Sequence, residues 1–408
     1  MAFTTALSGV NAAQSDLDVI SNNIANSSTT GFKSGRAEFG DMYAQSLLGT
    51  TTPTPGQGVQ VSGISQQFSQ GDLEFTNNAL DVAINGDGFF QVSDNGVIEY
   101  TRSGSFQIDK DGYIVTVGNA RVQGFQVDAT SGAVTGNVGD IQTQGALLDP
   151  SPTTTATITG NLDSREAVPA AFDVTNSATY NATTSLAVFD SLGNSHTLDV
   201  YFRKTANNTY DVFTFLDGTS TTANATTAAI SGLQFTTAGA YDSGGTAGSV
   251  SLAGIAIAGA DNLTVQLDLT GFTQYGTNFA TTTSTQNGYS AGQLASLEVN
   301  EYGLISARYS NGISKAMGQF ALADFQNVNG LQPVGNTNWI ETYKSGMPTL
   351  NKAGNANLGL VQGFALEQSN VAITQELVDL IVAQRNFQAN AQVVQAEDAI
   401  TQTVINLR

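Results

Sequence analysis

The residues with the most obvious chemical potential lie in the segment DSLGNSHTLD, residues 190–199. The segment contains Asp190, Ser195, His196 and Asp199. These are the residue types of a serine hydrolase, in which histidine takes a proton from a nucleophilic serine. That chemistry requires convergent side chains and a serine on an exposed elbow. The pattern here instead predicts a hairpin of strands 185–189 and 197–202, and neighbours on a strand point to opposite faces. No catalytic site is therefore predicted.

Two other motifs resemble ligand sites only in part. In DKDG, residues 109–112, a calcium loop beginning at Asp109 would place Tyr113 and Ile114 where an oxygen ligand and a glycine belong, so a tight turn is predicted. GDGFFQ, residues 86–91, lacks the third glycine of a dinucleotide fingerprint. The absence of cysteine excludes disulfides, thiolate catalysis and cysteine-based zinc sites, and one histidine excludes a histidine cluster. We therefore predict no enzyme, cofactor or metal.

Composition limits the partners. The 408 residues suggest two or three domains, and 34 acidic against 14 basic residues give a net charge of −20. Because nothing offsets phosphate repulsion, a nucleic-acid partner is not expected. No window of about 18 apolar residues predicts a transmembrane helix. The first basic residue is Lys33, so a Sec-type signal peptide is not expected either.

The N-terminal segment predicts an amphipathic helix. Its apolar residues recur at spacings of three and four and form one stripe: Phe3, Ala6, Leu7, Val10, Ala13, Leu17, Ile20 and Ile24. Asparagines, serines and Gly31 follow, and they are expected to end the helix and lead into an extended segment.

The C-terminal segment, from about Asn370 to Leu407, predicts a longer helix with two apolar seams. One seam contains Val371, Val378, Val382, Ala389, Val393, Ala396, Ile400, Val404 and Leu407, and the other Ile373, Leu377, Leu380, Phe387, Ala391, Val394 and Ile405. A helix with two separated seams needs two sets of neighbours, as in a bundle or a tube wall. Between the seams run a neutral stripe of Gln384, Gln388, Gln392, Gln395 and Gln402 and a more acidic stripe of Asp379, Asn386, Asn390 and Glu397.

The region between the helices, about residues 56–360, predicts β-structure. Short alternating runs are separated by turn dipeptides, of which Asn95-Gly96 and Asp111-Gly112 are typical of type I′ hairpins. From Thr153 to Thr285 the composition shifts to threonine, alanine, serine and asparagine with few charges, which indicates a separate β-domain. The predicted fold class is multidomain and mainly β, with α-helical termini that pair like a coiled coil.

Three segments resemble the bacterial flagellar rod and hook axial proteins: LDVISNNIANSSTTGFKSGRAEF (17–39), LDVAINGDGFFQV with YTRSGSFQIDKDGYIV (80–92 and 100–115), and LEQSNVAITQELVDLIVAQRNFQANAQ (366–392). The length, the large insertion and the final NLR favour a hook-type over a rod-type subunit. The resemblance implies an inner helical tube domain (1–30 and 364–408), an extended connector (31–70) that is flexible at Gly49–Gly58, a middle β-domain (71–145 and 285–363) and an outer inserted β-domain (146–284).

The function implied by the resemblance is mechanical. Copies of the chain are expected to form a curved, hollow helical tube that acts as a universal joint and conducts export substrates. Implied partners are sister copies, the distal rod, the hook cap, the hook–filament junction proteins and the flagellar type III export apparatus, with Phe3 and Leu7 as a candidate export signal and an extracellular location. Alternatives are a distal-rod or hook-associated subunit, or a secreted β-rich adhesin.

From the apolar patterns and the resemblance together, two sets of functional residues are predicted. The polymer interface is expected to contain Phe3, Leu7, Val10, Leu17, Ile20, Ile24, Val378, Leu380, Val382, Phe387, Val393, Val394, Ile400 and Val404. The glutamine stripe is the candidate lining of the channel, because neutral amides offer unfolded cargo neither apolar patches nor strong charge attraction.

Overall fold

A computed structural model of the chain describes residues 2–42, 56–128, 132–143, 147–245, 247–355 and 357–406. Within these residues a long helix lies at each end of the chain and β-strands dominate between them, which confirms the predicted fold class. The chain divides into two compact units. The first contains Met1–Gln144, Ser296–Arg308 and Ser314–Arg408, and the second contains Gly145–Ala295 and Tyr309–Ile313.

The helices are α1, Ala2–Ala25, and α2, Ile373–Asn406. With 24 and 34 residues, they are about 36 and 51 Å long at a rise of about 1.5 Å per residue. The first helix ends at the predicted asparagines, where the amide of Asn26 donates to the carbonyl of Asn22 and Gly31 turns the chain with a φ of +72°. The second helix begins three residues later than predicted, because the side chain of Asn370 forms hydrogen bonds with the backbone of Ser34 and Gln67.

The strands of the first unit are antiparallel. The main sheet runs in the order β23-β24-β9-β5-β6-β27-β26, and β1-β2, β4-β29 and β3-β30 are separate pairs. The first ten strands are β1 Gly35–Asp41, β2 Val59–Gln66, β3 Leu73–Phe75, β4 Val82–Asn85, β5 Phe89–Asp94, β6 Val97–Thr101, β7 Phe106–Ile108, β8 Ile114–Thr116, β9 Arg121–Val127 and β10 Val134–Asp140. The later strands are β23 Leu304–Tyr309, β24 Ser314–Phe320, β25 Leu322–Asp324, β26 Gln332–Gly335, β27 Asn338–Ile340, β28 Thr349–Asn351, β29 Leu360–Gly363 and β30 Ala365–Glu367.

Two aromatic clusters form the core of the first unit. Phe90, Phe106 and Phe320 lie with ring centroids 5.2 to 5.6 Å apart. The single tryptophan, Trp339, packs beside Phe89 with a centroid distance of 5.7 Å. The β-structure of this unit is thus held by buried rings contributed from both of its long chain segments.

The segment predicted as an extended connector, 31–70, contains β1 and β2. Both strands are extended, but they pair with each other, with a shift in register between Glu38 and Phe39. The predicted flexible stretch Gly49–Gly58 lies mostly outside the described residues.

The second unit contains two five-stranded sheets that share one core. One sheet has the order β18-β19-β12-β20 with β21 beside β12, and the other has β13-β14-β15-β16 with β17 beside β15. Alternate residues of β14, such as Leu198, Val200 and Phe202, are fully buried in the shared core with Leu267 of β19. The bounds are β11 Leu147–Leu148, β12 Thr155–Asp163, β13 Ala182–Phe189, β14 Ser195–Ala206, β15 Thr209–Leu216, β16 Thr219–Ser220, β17 Ile230–Gln234, β18 Ser249–Ile255, β19 Leu263–Asp268, β20 Phe272–Tyr275 and β21 Ala280–Gln286. Strand β22, Gly292–Val299, divides between the units, and short 3₁₀ helices span Ser177–Thr179 and Val328–Gly330.

The turns test the predictions made from dipeptides. Asn95 and Gly96 both have positive φ, +50° and +90°, as the predicted type I′ turn requires. The type I′ prediction at Asp111-Gly112 is wrong, because only Gly112 has a positive φ. There the carboxylate of Asp109 accepts hydrogen bonds from the amides of Asp111 and Tyr113, at 2.9 and 2.8 Å, and selects a different turn.

Two leucines of one hairpin provide a matched test of the second unit. Leu198 is fully buried and Leu192 is 59% exposed in the turn. Leu198→Ala is expected to destabilise the unit by about 2–5 kcal/mol because it leaves a cavity, whereas Leu192→Ala should change stability by less than about 0.5 kcal/mol. Hydrogen exchange of the amides in β13–β15 measures both changes, and equal protection in the two variants would contradict the assigned core.

Candidate functional site: the paired helices and their junction

The two terminal helices pack antiparallel. Near one end of the pair, the side-chain amide of Asn23 donates to the carboxylate of Glu376 at 3.2 Å. Near the other end, a Cβ added to Gly9 would lie 2.7 Å from the side-chain oxygen of Asn390. Gly9 thus lies against the side chain of Asn390, and these two contacts define the register of the pair.

One side of α2 faces α1. Its buried and half-buried residues recur at spacings of three and four: Glu376, Asp379, Leu380, Ala383, Phe387, Asn390, Ala391, Val394 and Glu397. Ala383 is the most buried of them, at 1% exposure, and its small side chain permits close packing. The apolar members include Leu380, Phe387 and Val394, which belong to one of the two predicted seams.

The other side of α2 has no cover within the described chain. Val378, Val382, Val393 and Ile400 of the other predicted seam are 48–58% exposed. Because large exposed apolar patches on soluble proteins mark interaction sites, this side of α2 is a candidate interface. Ile373 and Leu377, which belong to the seam that otherwise faces α1, and Ile381 are similarly exposed but lie on a different face of the helix, since nine residues separate Ile373 from Val382 and place the two on opposite sides.

The remaining predicted interface residues are distributed along α1. Phe3 and Leu7 are exposed, at 42% and 44%, whereas Ile20 is buried at 6%. Three others are half-buried: Val10, Leu17 and Ile24. The side chain of Val404 lies outside the described residues. Some of the predicted interface residues are thus buried or half-buried within the chain, and others are exposed and could contact another copy.

The glutamine stripe of α2 is exposed along its whole length. All five predicted members lie on the solvent side of the helix: Gln384, Gln388, Gln392, Gln395 and Gln402. The five side chains are themselves uncharged, and the exposed charged residues described on α2 are Arg385 and Asp398.

Acidic residues lie where the two helices meet. Burial, together with the nearby charge of Asp379, raises the pKa of Asp16 on α1 and of Glu376 on α2. Like charges disfavour the ionised form of each group. The pairing of α1 with α2 is therefore opposed by electrostatic repulsion, which added salt or mild acid would reduce.

Where the chain passes between the helices and the β-structure, it is held by a buried carboxylate. Glu367 is fully buried at the end of β30. It accepts hydrogen bonds from the ammonium of Lys33 at 2.5 Å, the guanidinium of Arg102 at 3.4 Å and the amide of Gly71 at 3.0 Å. These contacts join four distant parts of the sequence, and we call Lys33, Arg102 and Glu367 the junction cluster.

The junction cluster contains two cations and one anion, all removed from water. Burial lowers the pKa of Lys33 and that of Arg102, and the charge of Glu367 opposes both shifts. Carbonyls of Ser69 and Gly86 supply further acceptors at 2.8 Å. Removing water from such ions costs several kcal/mol each. The cluster is stable only while its members remain together.

Polar side chains extend the junction to both helices. Asn23 of α1 exchanges two hydrogen bonds with the backbone of Gly35 at the start of β1. Asn370 accepts from the amide of Ser34 and donates to the carbonyl of Gln67, at 2.8 and 2.7 Å. Asn370 is thereby fixed outside α2, which explains the later start of that helix.

The junction was not predicted as a site. Its members nevertheless lie in the three segments that carry the resemblance: Asn23 and Lys33 in the first, Arg102 in the second, and Glu367 and Asn370 in the third. Charged residues are rarely buried, but these segments contain several other charged residues, and nothing in the spacing of Lys33, Arg102 and Glu367 distinguishes the three that meet.

Removing the carboxylate tests the junction. Glu367→Gln leaves Lys33 and Arg102 buried without a counter-charge, and we expect it to destabilise the first unit by about 3–5 kcal/mol. Arg36→Ala, which breaks the exposed pair between Arg36 and Glu38, is the control and should have no measurable effect. Denaturant unfolding followed by Trp339 fluorescence measures both. Equal stability of the two variants would contradict the assigned role.

The suspected hydrolase residues do not form a serine-hydrolase site. The predicted hairpin is confirmed, and Ser195 and His196 are consecutive in β14. His196 instead lies between the carboxylates of Asp217, at 2.6 Å, and Asp190, at 3.3 Å. Asp190 also accepts from the amide of Asn194 at 2.8 Å, so the histidine supports a turn.

The His196 contacts predict a pH dependence for the second unit. The hydrogen bond to Asp217, aided by the one to Asp190, raises the pKa of His196 above 6.5. The stabilisation is therefore fully present below about pH 6.5 and is lost as the pH rises through the raised value. Thermal unfolding between pH 6 and 9 should show this loss in the unsubstituted chain and not in His196→Gln. Parallel curves for the two proteins would contradict it.

Among the described residues, no group of three or more histidine, cysteine or acidic side chains is arranged to hold a metal ion. In that same part of the chain, neither helix combines the length and apolar character needed to cross a membrane.

The chain matches known protein families over segments that overlap those that carry the resemblance. Family models match residues 3–33 (flagella basal body rod protein), 83–159 (flagellar hook protein FlgE/F/G D1 domain), 161–289 (flagellar basal body protein FlaE D2 domain) and 361–407 (flagellar basal body rod FlgEFG protein C-terminal). The chain is 40% identical to the flagellar hook protein FlgE of Salmonella typhimurium, over all of both chains. The chain belongs to the flagellar hook protein family. Its relative in Borreliella burgdorferi is 32% identical over 99% of this chain and 98% of that protein.

A solved structure supports the fold of this hook-family chain. The Helicobacter pylori flagellar hook protein FlgE2 superposes with a TM-score of 0.54 at 14% identity, covering 72% of this chain and 100% of that one. At this identity the likeness concerns the fold alone. The membership confirms the flagellar resemblance and the choice of hook type over rod type.

Proposed function

We propose that the chain is the structural subunit of a bacterial flagellar hook and that its copies assemble into a curved, hollow helical tube. The observation that carries the proposal is the uncovered apolar side of α2, since Val378, Val382, Val393 and Ile400 are about half exposed. Burying them at about 25 cal/mol per Å² of apolar area would favour association. A head-to-tail contact that does not close generates a helical polymer.

The charge of the subunit controls when assembly occurs. Each copy carries −20, so free subunits repel one another and remain dispersed at low salt. Raised ionic strength screens this repulsion and also the repulsion among Asp16, Glu376 and Asp379 where the helices meet. Apolar association is then left as the dominant effect, and salt should promote assembly.

The inner surface of the tube is assigned to the glutamine stripe. Gln384, Gln388, Gln392, Gln395 and Gln402 are exposed on α2 and are the proposed lining of the channel. Uncharged amides present neither apolar patches nor fixed charge, so an unfolded export substrate would pass without being retained.

The domains of the subunit are proposed to have different mechanical roles in the tube. The proposed plan is an inner helical domain (1–30 and 364–408), a connector (31–70), a middle β-domain (71–145 and 285–363) and an outer β-domain (146–284). Densely packed helices would carry motor torque from the rod to the filament. Outer β-domains with few charges would slide past one another as the joint bends.

The proposed partners and location follow from the same function. Besides sister copies, the hook would contact the distal rod, the hook cap and the hook–filament junction proteins, outside the cell. The flagellar type III apparatus would export the chain, with Phe3 and Leu7 as its candidate signal. Both side chains are exposed in the described structure and so could be read by a receptor.

Polymerisation of a paired variant tests the proposal. Val378→Asn with Val382→Asn makes two exposed positions polar and leaves the folded subunit otherwise intact. Each substitution should remove about 1 kcal/mol of the favourable free energy of burying apolar surface between copies. Together they should raise the subunit concentration needed for polymerisation by at least about tenfold. Electron microscopy and sedimentation at raised salt measure the change.

The control is Gln384→Asn with Gln388→Asn, which substitutes two exposed residues of the glutamine stripe. It should polymerise like the unsubstituted chain, into curved tubes. Straight tubes would favour a rod-type subunit. A chain that stays monomeric at every salt concentration would contradict the proposal and favour the adhesin alternative.

A further inference from the structure

One loop of the first unit presents two large side chains to solvent. The Tyr343 loop, residues 341–348, lies between β27 and β28. Tyr343 is fully exposed and Met347 is 87% exposed, the two highest values among the large apolar residues described. Lys344 lies beside them, exposed and without an ion-pair partner in the described part of the chain. The loop therefore combines an aromatic ring, a thioether and a cation.

The Tyr343 loop is held in place by hydrogen bonds within the loop and to Asn327 and Gly330. Ser345 is 1% exposed, and its hydroxyl accepts from the amide of Thr342 at 2.9 Å. The side chain of Thr342 donates to the carbonyl of Gly330 at 2.6 Å, and that of Asn327 donates to the carbonyl of Lys344 at 3.0 Å. The exposure of Tyr343 thus belongs to an ordered loop, and an ordered loop loses little entropy on binding.

The same unit contains a groove of complementary character. The Trp339 groove has a volume of about 1020 Å³ and lies among the end of α1 and the turns beside β6, β8 and β26. Val117 and Val334 give it exposed apolar walls, the buried Trp339 lies at its edge, and Asp94 and Glu99 give it acidic walls. The cation in its lining is Lys33, whose charge Glu367 already neutralises.

We propose that the Tyr343 loop of one copy enters the Trp339 groove of a second copy. Tyr343 and Met347 would pack against the exposed side chains of Val117 and Val334, because aromatic and methionine side chains are favoured at the centres of interfaces. Lys344 would pair with Asp94 or Glu99. The two surfaces differ, so each copy offers one of each, and the contact extends into a filament instead of closing a dimer.

A second copy is the favoured occupant for electrostatic reasons. The chain has only 14 basic residues and carries −20, so an unpaired exposed lysine beside two apolar groups complements the acidic surface of a sister chain. The loop does not fill the groove of its own chain, since Tyr343 is fully exposed. The inference rests on the proposed self-assembly and adds a β-unit contact to that made by the helices.

Cross-linking between singly substituted copies tests the contact. The chain has no cysteine, so Tyr343→Cys and Val334→Cys can be prepared separately, mixed, polymerised and treated with a short bis-maleimide. We expect a cross-linked dimer containing one copy of each variant. Val168→Cys, a residue 54% exposed in the second unit, replaces Tyr343→Cys as the control and should give none.

Charge reversal gives a second measurement. Lys344→Glu should require about threefold to fivefold more subunit for polymerisation than Lys352→Glu, which makes the same change of charge outside the loop. Normal polymers without the cross-link, or equal cross-linking by Val168→Cys, would overturn the proposed contact while leaving self-assembly intact. Failure of the unsubstituted chain to polymerise would overturn self-assembly and this contact together.

Discussion

The second helix carries more apolar surface than the rest of the described chain covers. Its 34 residues face only 24 in α1, and Ala383 is its one buried residue among the side chains described. Val378, Val382 and Ile400 stay near half exposure on the side that α1 does not reach. Most helix stability comes from packing, so in the proposed polymer other copies covering that side would stabilise the helix pair further. Under that proposal, packing of the chain ends is coupled to assembly.

The junction cluster determines how the helices connect to the β-structure. Lys33 follows α1 and Glu367 precedes α2, so one buried ion pair holds both places where the chain leaves the β-strands. Opening that pair would leave a charge buried without a partner, which costs several kcal/mol. In the proposed hook, a torque applied to the helices would be transmitted through this contact to the β-strands of the first unit. Bending of the proposed joint would then arise at contacts between copies.

Much of the architecture could be predicted because it follows local patterns. The apolar stripe from Phe3 to Ile24 indicated α1, and the dipeptide Asn95-Gly96 indicated the type I′ turn between β5 and β6. The turn at Gly112 was predicted wrongly, since the carboxylate of Asp109 outweighed the dipeptide preference. Periodicity also separated the two seams of α2, but it does not say which seam packs on α1. The junction could not be predicted, because it depends on contacts among residues as distant as Lys33 and Glu367. The pairing of β1 with β2 could not be predicted either, because it depends on how the residues between the two strands bring β2 back alongside β1.

The most direct test is the structure of the assembled polymer by electron cryomicroscopy. If unpartnered helix faces drive assembly, Val378, Val382, Val393 and Ile400 will be buried against helices of neighbouring copies, with α1 and α2 forming a continuous inner layer. A polymer in which copies touch only through β-strands, with these four residues still facing solvent, would contradict the account.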